Sequence, residues 1–369
     1  MHVEQRHRHL GQPWDAPLPG DAHLALLFAS VEALERADLP QLKRDLGGAL
    51  LIGASTAGEI RGTSIDDDTL SLTTVRFDTP VQLHAASVRL QPGACETAGA
   101  HLGRDLGSPA HALVLAAGAA LNGSALARGL TDQLPSTTSV TGGIAADGDR
   151  FGRTLVVLDD QLLDEAAVGL ALDGEHLEIR SGCFGGWDPF GPVRTVTKAQ
   201  GNVLHELEGQ PALDLYERYL GPYVEGLPAS ALRFPLALEL GDRRLVRTVL
   251  GIDPEARTMT FAGEIPEGAT VRLMKANTDR LVDGAQSAAE QARLDGEAEL
   301  ALLVSCVGRR LVLKQRTEEE LEVVREVIGQ GARLTGFYSY GELCPSSDCL
   351  CSELHNQTMT VTTLREVRA

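Results

Sequence analysis

The chain has 369 residues, which is long for one simple hydrophobic core, so its length favours two packed domains. Hydrophobic residues make up 43% and charged residues 23%, the proportions of an ordinary globular protein. The net charge of −18 argues against nucleic acid and an anionic membrane surface as partners, because both attract clusters of Lys and Arg.

Residues 1–21 are predicted to form a flexible N-terminal arm. They lack the apolar stretch of a secretory signal, and Pro13, Pro17 and Pro19 follow a His-rich start. No apolar run approaches the roughly 18 residues that span a bilayer. With six cysteines and no export signal, we expect reduced thiols and a cytoplasmic location.

The first half of the chain is predicted to alternate strands and helices. A continuous apolar run predicts a buried strand at residues 22–30, helical spacing follows over 31–46, and another strand begins at Leu50. Elements this close together indicate a parallel crossover and an α/β fold with mixed sheets. The further predicted elements are a strand at 81–90, a helix at 94–106 and strands at 155–158 and 167–172.

A second domain is predicted for residues 201–369, after a stretch dense in turn-forming residues. It opens with a helix over 212–220, which Gly221-Pro222 ends. Thr317 is the predicted N-cap of the last helix. The remaining predicted elements are strands at 245–250, 258–262 and 270–275, a helix at 278–294, a strand from Leu300 and a helix at 318–328.

Two distant segments share one pattern. Leu51–Ile60 and Leu334–Leu343 both follow the frame Leu-x-Gly-x-x-x-x-Gly-Glu-apolar. Similar apolar runs precede them, and similar Thr-rich runs follow. A looser third copy begins at Ala112 and reaches Ile144. Internal duplication of a strand–helix–strand unit explains these similarities better than the alternative, which is that unrelated units of this kind have come to have similar amino-acid sequences.

Seven short motifs follow one another in order: Ile52–Glu59, Gly142–Gly148, Ala167–Leu170, Gly186–Gly191, Ser305–Arg309, Gly336–Glu342 and Leu354–Thr358. Together they resemble the signatures of the FIST proteins, which pair an N-terminal with a C-terminal FIST domain. The resemblance implies a FIST N-terminal domain at 22–200, a FIST C-terminal domain at 201–369, and an intracellular sensory module for small ligands such as amino acids. In a subset of the family it implies haem binding and nitric oxide sensing. Ala54 departs from the many members that carry Cys there.

The Gly-Glu turns are the first candidate ligand site. Glycine before Glu59 and before Glu342 permits close approach of the backbone to a guest, and each carboxylate could hold an ammonium group. The hydroxyl groups predicted to join them are those of Ser55, Thr56, Tyr338 and Tyr340. The alternative is that each Glu accepts backbone hydrogen bonds in a tight turn.

The run His355-Asn356-Gln357 is the second candidate. The side-chain amides of Asn356 and Gln357 can both donate and accept hydrogen bonds, so they could bind a polar ligand. His355 could ligate a metal or haem iron. A structural network is the rival interpretation. Arg309 is predicted to anchor an anion, either a ligand carboxylate or a haem propionate.

Cysteines suggest two further sites. Cys344, Cys349 and Cys351 with His355 could enclose Zn²⁺ or an iron–sulfur centre, although their spacing matches no common zinc pattern and loose redox-active thiols are the alternative. Cys306, close to Arg309 in sequence, could act as a nucleophile, but a buried small hydrophobe is its usual role.

The sequence therefore predicts a cytoplasmic sensory protein that binds an amino-acid-like ligand in a cleft shared by both domains, with both Gly-Glu turns beside it. A separate partner, such as a histidine kinase or a cyclic-dinucleotide enzyme, is expected to give the output. The alternatives are a haem-based nitric oxide sensor and, third, a thiol-dependent enzyme. Nucleotide-cofactor chemistry has no support, since neither phosphate-binding glycine motif occurs.

Overall fold

The computed structural model describes residues 1–118, 121–227, 229–240, 243–345 and 352–367. The strands are β1 (His2–His9), β2 (Leu24–Ala29), β3 (Leu50–Ser55), β4 (Glu59–Arg61), β5 (Ser64–Asp66), β6 (Thr69–Arg76), β7 (Gln82–Arg89), β8 (His111–Ala117), β9 (Ser139–Ile144), β10 (Val156–Leu158), β11 (Gln161–Leu163), β12 (Ala166–Asp173), β13 (Leu177–Phe184), β14 (Asp188–Gln200), β15 (Val203–Leu207), β16 (Gln210–Pro211), β17 (Leu236–Leu240), β18 (Arg243–Arg247), β19 (Val249–Asp253), β20 (Thr258–Phe261), β21 (Thr270–Lys275), β22 (Leu300–Cys306), β23 (Arg333–Ser339), β24 (Gly341–Pro345), β25 (Ser352–His355) and β26 (Met359–Glu366).

The α-helices are α1 (Val31–Glu35), α2 (Leu39–Asp45), α3 (Cys95–Leu106), α4 (Gly123–Thr131), α5 (Ala212–Leu220), α6 (Thr278–Gln291), α7 (Val307–Leu313) and α8 (Thr317–Ile328). Short 3-10 helices cover Gly221–Gly226, Ala229–Arg233 and Lys314–Arg316. Among the described residues, no helix is both long and apolar enough to cross a membrane. The predicted α/β class with mixed sheets is confirmed.

Three sheets repeat one strand order. The first sheet runs β1-β6-β2-β3-β10-β11, the second β7-β12-β8-β9-β24-β25 and the third β13-β26-β22-β23-β4-β5. In each, a central parallel pair is flanked by antiparallel strands. The chain therefore contains three copies of one unit: β1–β6, β7–β12, and β13 with β22–β26. The looser copy predicted between Ala112 and Ile144 corresponds to β8 and β9, the parallel pair of the second repeat.

In each repeat, one β-hairpin pairs with the sheet of another repeat instead of its own. Hairpin β4–β5 of the first repeat joins the third sheet, β10–β11 of the second joins the first sheet, and β24–β25 of the third joins the second sheet. This cyclic exchange is closed by three equivalent backbone hydrogen bonds. They run from the Ala57 N–H to the Tyr338 carbonyl (2.8 Å), from the Ala146 N–H to the Ser55 carbonyl (2.8 Å) and from the Tyr340 N–H to the Ile144 carbonyl (3.0 Å).

Glycine lets the two parallel strands of each unit approach closely. A Cβ on Gly142 would lie 1.8 Å from the Val114 carbonyl oxygen, and one on Gly336 would lie 1.8 Å from that of Leu303. Both glycines also have φ near +150°. No other residue fits these positions without moving the neighbouring strand.

The three sheets enclose a common apolar core, and helices cover their outer faces. Alternation along β2 shows the principle: Leu26 and Phe28 point to the shared core, whereas Ala25 and Leu27 pack under α1 and α2. Phe28 stacks on Phe337 of the third repeat with ring centroids 4.8 Å apart. Helices α3 and α4 cover the second sheet, and α6 and α8 cover the third.

A fourth, antiparallel sheet interrupts the third repeat. Strands β14–β21 form it, between β13 and α6, and α5 packs on it. We call this segment, residues 188–275, the inserted sheet. Arg247 ties it to the third repeat, because its buried guanidinium donates to the Leu354 carbonyl at 2.9 Å.

Several local predictions need correction. The helix predicted over 31–46 is divided into α1 and α2, and the strand predicted at 245–250 falls partly in β18 and partly in β19. The predictions for the N-terminal arm and for the cap of the last helix also need correction. Residues 2–9 of the predicted flexible arm form β1, which pairs along its whole length with β6. The Met1 ammonium is held there by Glu299 at 2.8 Å and Glu366 at 2.9 Å. Thr317 is not an N-cap; it lies inside α8, and its hydroxyl donates to the Lys314 carbonyl.

Candidate functional site

A cavity of about 770 Å³ separates the third repeat from the inserted sheet. Its walls come from the end of β13, from β24 and β25, from β18 and from α6. The volume lies within the roughly 300–1,000 Å³ typical of small-molecule sites. Trp187 and Met274, both buried, form part of an apolar wall.

Charged groups of both signs line the same cavity. Arg280 on α6 lies 3.6 Å from the Asp188 carboxylate, a loose ion pair in which the Arg280 side chain is 63% exposed. Arg244 and Glu353 add a further charge of each sign. A ligand that carries both an anionic and a cationic group would find complements for both.

Two cysteine thiols lie side by side in the wall. Cys183 is near the end of β13 and Cys344 is on β24, and both are free thiols. A hydrogen bond from the Cys344 thiol, together with the nearby His355, lowers the pKa of Cys183 to about 5. Burial and the adjacent Cys183 raise the pKa of Cys344 well above its usual value. The arrangement therefore favours a thiolate on Cys183 beside a thiol on Cys344.

His355 lies close to Cys183 and lines the same cavity as the two thiols. It lies on β25 directly opposite Glu342 on β24. Its Nε2 atom is buried and has no hydrogen-bond partner among the residues described. A buried polar atom without a partner is costly, so this nitrogen is a natural contact for a ligand.

Glu342 lies immediately behind the cavity wall. Its carboxylate accepts hydrogen bonds from the Ser339 hydroxyl at 2.7 Å and from the Thr358 N–H and hydroxyl at 3.1 and 2.8 Å. Burial raises its pKa to about 8. Thr358 itself lines the cavity, so Glu342 positions a wall residue but does not line the cavity itself.

The family assignment rests on two matches. The FIST N domain matches residues 23–210, and the FIST C domain matches residues 212–345. The chain belongs to the FIST family. The cavity is lined from both matched segments, because Ser181–Asp188 fall in the FIST N part and Arg244–Pro345 in the FIST C part.

Three curated relatives of this FIST protein are uncharacterized proteins. An uncharacterized protein of Mycobacterium tuberculosis is 31% identical over 230 residues, which are 58% of either chain. One of Mycobacterium bovis is 29% identical over 56% of either chain, and one of Methanocaldococcus jannaschii is 28% identical over 50% of this chain and 38% of its own. The chain thus spans between 38% and 58% of the length of these curated relatives.

One solved structure aligns along the full length. The crystal structure of cyanuric acid hydrolase from A. caulinodans covers 100% of this chain and 99% of its own, with 8% identity and a TM-score of 0.36. A likeness at this level carries no argument about the FIST protein.

The first Gly-Glu turn does not reach the cavity. The Glu59 carboxylate accepts the Thr56 hydroxyl at 2.5 Å and the Thr69 N–H and hydroxyl at 3.2 and 2.8 Å. Ser55 is likewise occupied, since its hydroxyl accepts the Leu155 N–H. The expectation that both turns lie beside one cleft is wrong, because the cyclic exchange of hairpins carries the two turns to different sheets. For Glu59 the alternative interpretation, a tight-turn acceptor, describes the geometry.

Arg309 and Tyr338 serve the interior of the third repeat. The Arg309 guanidinium is fully buried and pairs with Glu320 at 2.8 Å, while it also donates to the carbonyls of Gly185 and Leu281. The Tyr338 hydroxyl donates to the same Glu320 at 2.7 Å. The predicted anion anchor is therefore a structural ion pair with no exposed donor.

The other predicted ligand residues, Tyr340, Asn356 and Gln357, do not line the cavity. The Tyr340 hydroxyl donates to the Asp147 carboxylate, and its ring stacks on Phe151. The Gln357 carbonyl accepts the indole N–H of Trp187 at 2.8 Å. Asn356 is fully buried, and neither amide atom has a partner in the described part of the chain. Of the predicted ligand set, His355 alone lines the cavity.

The predicted metal set is divided. Cys344 and His355 line the cavity together, whereas Cys349 and Cys351 lie outside the described residues. Within the described ranges, no group of three or more His, Cys, Asp or Glu side chains is placed to hold a metal ion. Cys306 is buried, and burial raises its pKa well above the usual value, which is unfavourable for the predicted nucleophile.

Sequence reasoning missed Cys183, Arg280 and Trp187. The stretch Gly182–Pro192 stood out for its turn formers, and its Cys and Trp were not weighed as site residues. The high density of glycine and proline in this stretch was the feature that could have indicated a functional loop. The partnership of Cys183 with Cys344, however, depends on β13 packing beside a strand exchanged into another sheet.

Proposed function

We propose that this FIST protein is a sensory protein that binds a small amino-acid-like ligand in the 770 Å³ cavity. One observation carries the proposal: a cavity of ligand size is lined from both FIST segments and presents charges of both signs. Complementary charges fix the orientation of a zwitterion more strongly than that of a neutral molecule.

The ligand chemistry follows from the lining. We assign the ligand carboxylate to Arg280 and the ligand ammonium group to Asp188. These two side chains are 3.6 Å apart, so a ligand can separate them at little cost. The apolar part of the ligand would pack against Trp187 and Met274. His355 Nε2 supplies one further polar contact.

The ligand would signal through the boundary between the third repeat and the inserted sheet, where the cavity lies. A ligand that contacts both the third repeat and the inserted sheet would favour arrangements in which the two are closest, and it shifts that balance only by its differential affinity. We propose that a separate signalling protein reads this change. That part of the proposal rests on the sensory character of the FIST family.

Thermal unfolding in the presence of each proteinogenic L-amino acid tests the ligand class. We expect one or a few of them to raise the melting temperature, because a ligand that binds only the folded state stabilises it. Arg280→Ala should abolish the rise. Arg293→Ala, an exposed residue just after α6 that does not line the cavity, is the matched control and should retain it. Equal shifts in both variants, or none in the native protein, would contradict the proposal.

A further inference from the structure

The thiol pair Cys183–Cys344 has features that ligand binding does not require. The two cysteines come from strands that are distant in sequence, and the hairpin exchange brings their side chains into hydrogen-bond contact. Both side chains line a cavity large enough to admit a small reactant. Two free thiols in hydrogen-bond contact are close enough for one sulfur to reach the other, and attack of one sulfur on the other is the step that forms a disulfide.

We propose that Cys183 and Cys344 form a redox-active dithiol, which a hydroperoxide oxidises to a disulfide within the cavity. This inference goes beyond ligand sensing and does not depend on which ligand occupies the site. It adds a covalent modification site to a protein in which sequence motifs indicate non-covalent binding.

Cys183 is the attacking group. Its sulfur accepts the hydrogen bond from Cys344, and His355 lies close enough to favour negative charge on it. The thiolate, not the thiol, is the nucleophile. Cys344, which is buried, keeps its proton and serves as the resolving thiol.

The reaction balances in two steps. The Cys183 thiolate attacks one peroxide oxygen, the O–O bond breaks, and the departing alkoxide or hydroxide takes a proton, which leaves Cys183 as a sulfenic acid. The Cys344 sulfur then attacks the Cys183 sulfur, the S–O bond breaks, and water leaves with the thiol proton. Two thiols and one hydroperoxide thus give one disulfide, one alcohol or water, and one water.

Other cysteines in the described part of the chain lack this combination. Cys306 is buried in β22, and its pKa is raised by burial. Cys95 is buried on the inner face of α3, where its sulfur accepts the Asn122 N–H. Neither lines the cavity. Cys306 is therefore the matched control for the variants below.

Peptide mapping after treatment with hydrogen peroxide tests the proposal. Digestion with trypsin and an enzyme that cleaves before Asp separates Cys344 from Cys349 and Cys351, because Asp348 lies between them. We expect a disulfide between the Cys183 and Cys344 peptides, lost in Cys183→Ser and retained in Cys306→Ser. No disulfide, or one that joins Cys183 to Cys349 or Cys351, would overturn the proposal.

A second variant fixes the roles of the two thiols. In Cys344→Ser, Cys183 loses the resolving partner assigned here, so the sulfenic acid should persist and be trapped by dimedone at Cys183. Dimedone labelling at Cys344 in Cys183→Ser, with none at Cys183 in Cys344→Ser, would contradict the assigned order. Both variants are expected to fold, since serine matches the size of each thiol, and circular dichroism checks this before labelling.

Discussion

Glu59 and Glu342 occupy equivalent positions in the first and third repeats and are bound in the same way. Each carboxylate accepts both the N–H and the hydroxyl of a threonine, Thr69 at the start of β6 and Thr358 immediately before β26. Only Thr358 also lines the cavity. One structural motif has therefore been kept in two repeats, and in the third repeat it supports the candidate site.

The buried carboxyl of Glu342 predicts a pH-dependent stability. Burial raises its pKa from an ordinary 4.5 to about 8, so the folded state holds a proton that the unfolded state releases. Its contribution to stability is complete below about pH 4.5 and is lost as the pH rises through about 8. The free energy of unfolding of the native protein, minus that of Glu342→Gln, should fall by up to about 1.4 kcal/mol per pH unit in this window.

Urea unfolding at a series of pH values measures this difference. Glu322→Gln, which changes an exposed residue of α8, is the control and should show no such slope. Glu59→Gln should behave like Glu342→Gln with a window that ends near pH 7, because the Glu59 pKa is raised to about 7. A flat difference for Glu342→Gln would show that this carboxyl is already ionised in the folded protein.

The Arg309–Glu320 ion pair predicts a large loss of stability on truncation. Both side chains are fully buried, so Arg309→Met leaves Glu320 without its counter-charge and should cost about 3–5 kcal/mol. The exposed pair Arg36–Glu32 is the comparison, and Arg36→Met should cost less than about 1 kcal/mol. Denaturant unfolding of both variants decides the matter; similar small losses would contradict the structural role given to Arg309.

The close approach of paired strands predicts that Gly336→Ala is damaging. The new methyl group would meet the Leu303 carbonyl oxygen, and alanine disfavours the φ of +151°. We expect a loss of about 2–5 kcal/mol in unfolding free energy, from strain and overpacking together. Gly251→Ala, where nothing lies within 4 Å of the added atom, should be nearly neutral. Two equally tolerated variants would show that the strand spacing is wrong.

The thiol pair predicts an unusual alkylation profile for Cys183. Its pKa is lowered to about 5 by the Cys344 hydrogen bond and the nearby His355, so iodoacetamide should already react with it near pH 6. The charged or titratable groups that line the cavity around it are Cys344, His355, Asp188, Arg244, Arg280 and Glu353. Cys344→Ala should move the midpoint of the rate profile upward, whereas Cys306→Ala should not. A profile with its midpoint near 9 in the native protein would refute the thiolate.

Much of the fold was readable because its signals are local. The apolar runs of β2 and β22, the glycines that end their partner strands and the Thr-rich strands β6 and β26 identified two repeats directly from sequence. The second repeat was visible only faintly, since Asp147-Gly148 stands there in place of Gly-Glu. Composition alone could not reveal the exchange of hairpins, because that depends on pairing between strands hundreds of residues apart.

The candidate site was predicted only in part for the same reason. His355 and Cys344 belong to motifs that stood out in the sequence, and both line the cavity. Arg309, Tyr338 and Glu59 stood out equally, but their polar atoms are satisfied within the fold. A polar residue beside a glycine looks the same in sequence whether it faces a guest or a buried partner.

A crystal structure of the protein with the amino acid that most raises its melting temperature tests the central claim most directly. The account predicts that this amino acid lies between the third repeat and the inserted sheet, with its carboxylate at Arg280 and its ammonium group at Asp188. An amino acid bound elsewhere, for example beside Glu59, with the cavity lined by Cys183 and His355 left empty, would contradict it.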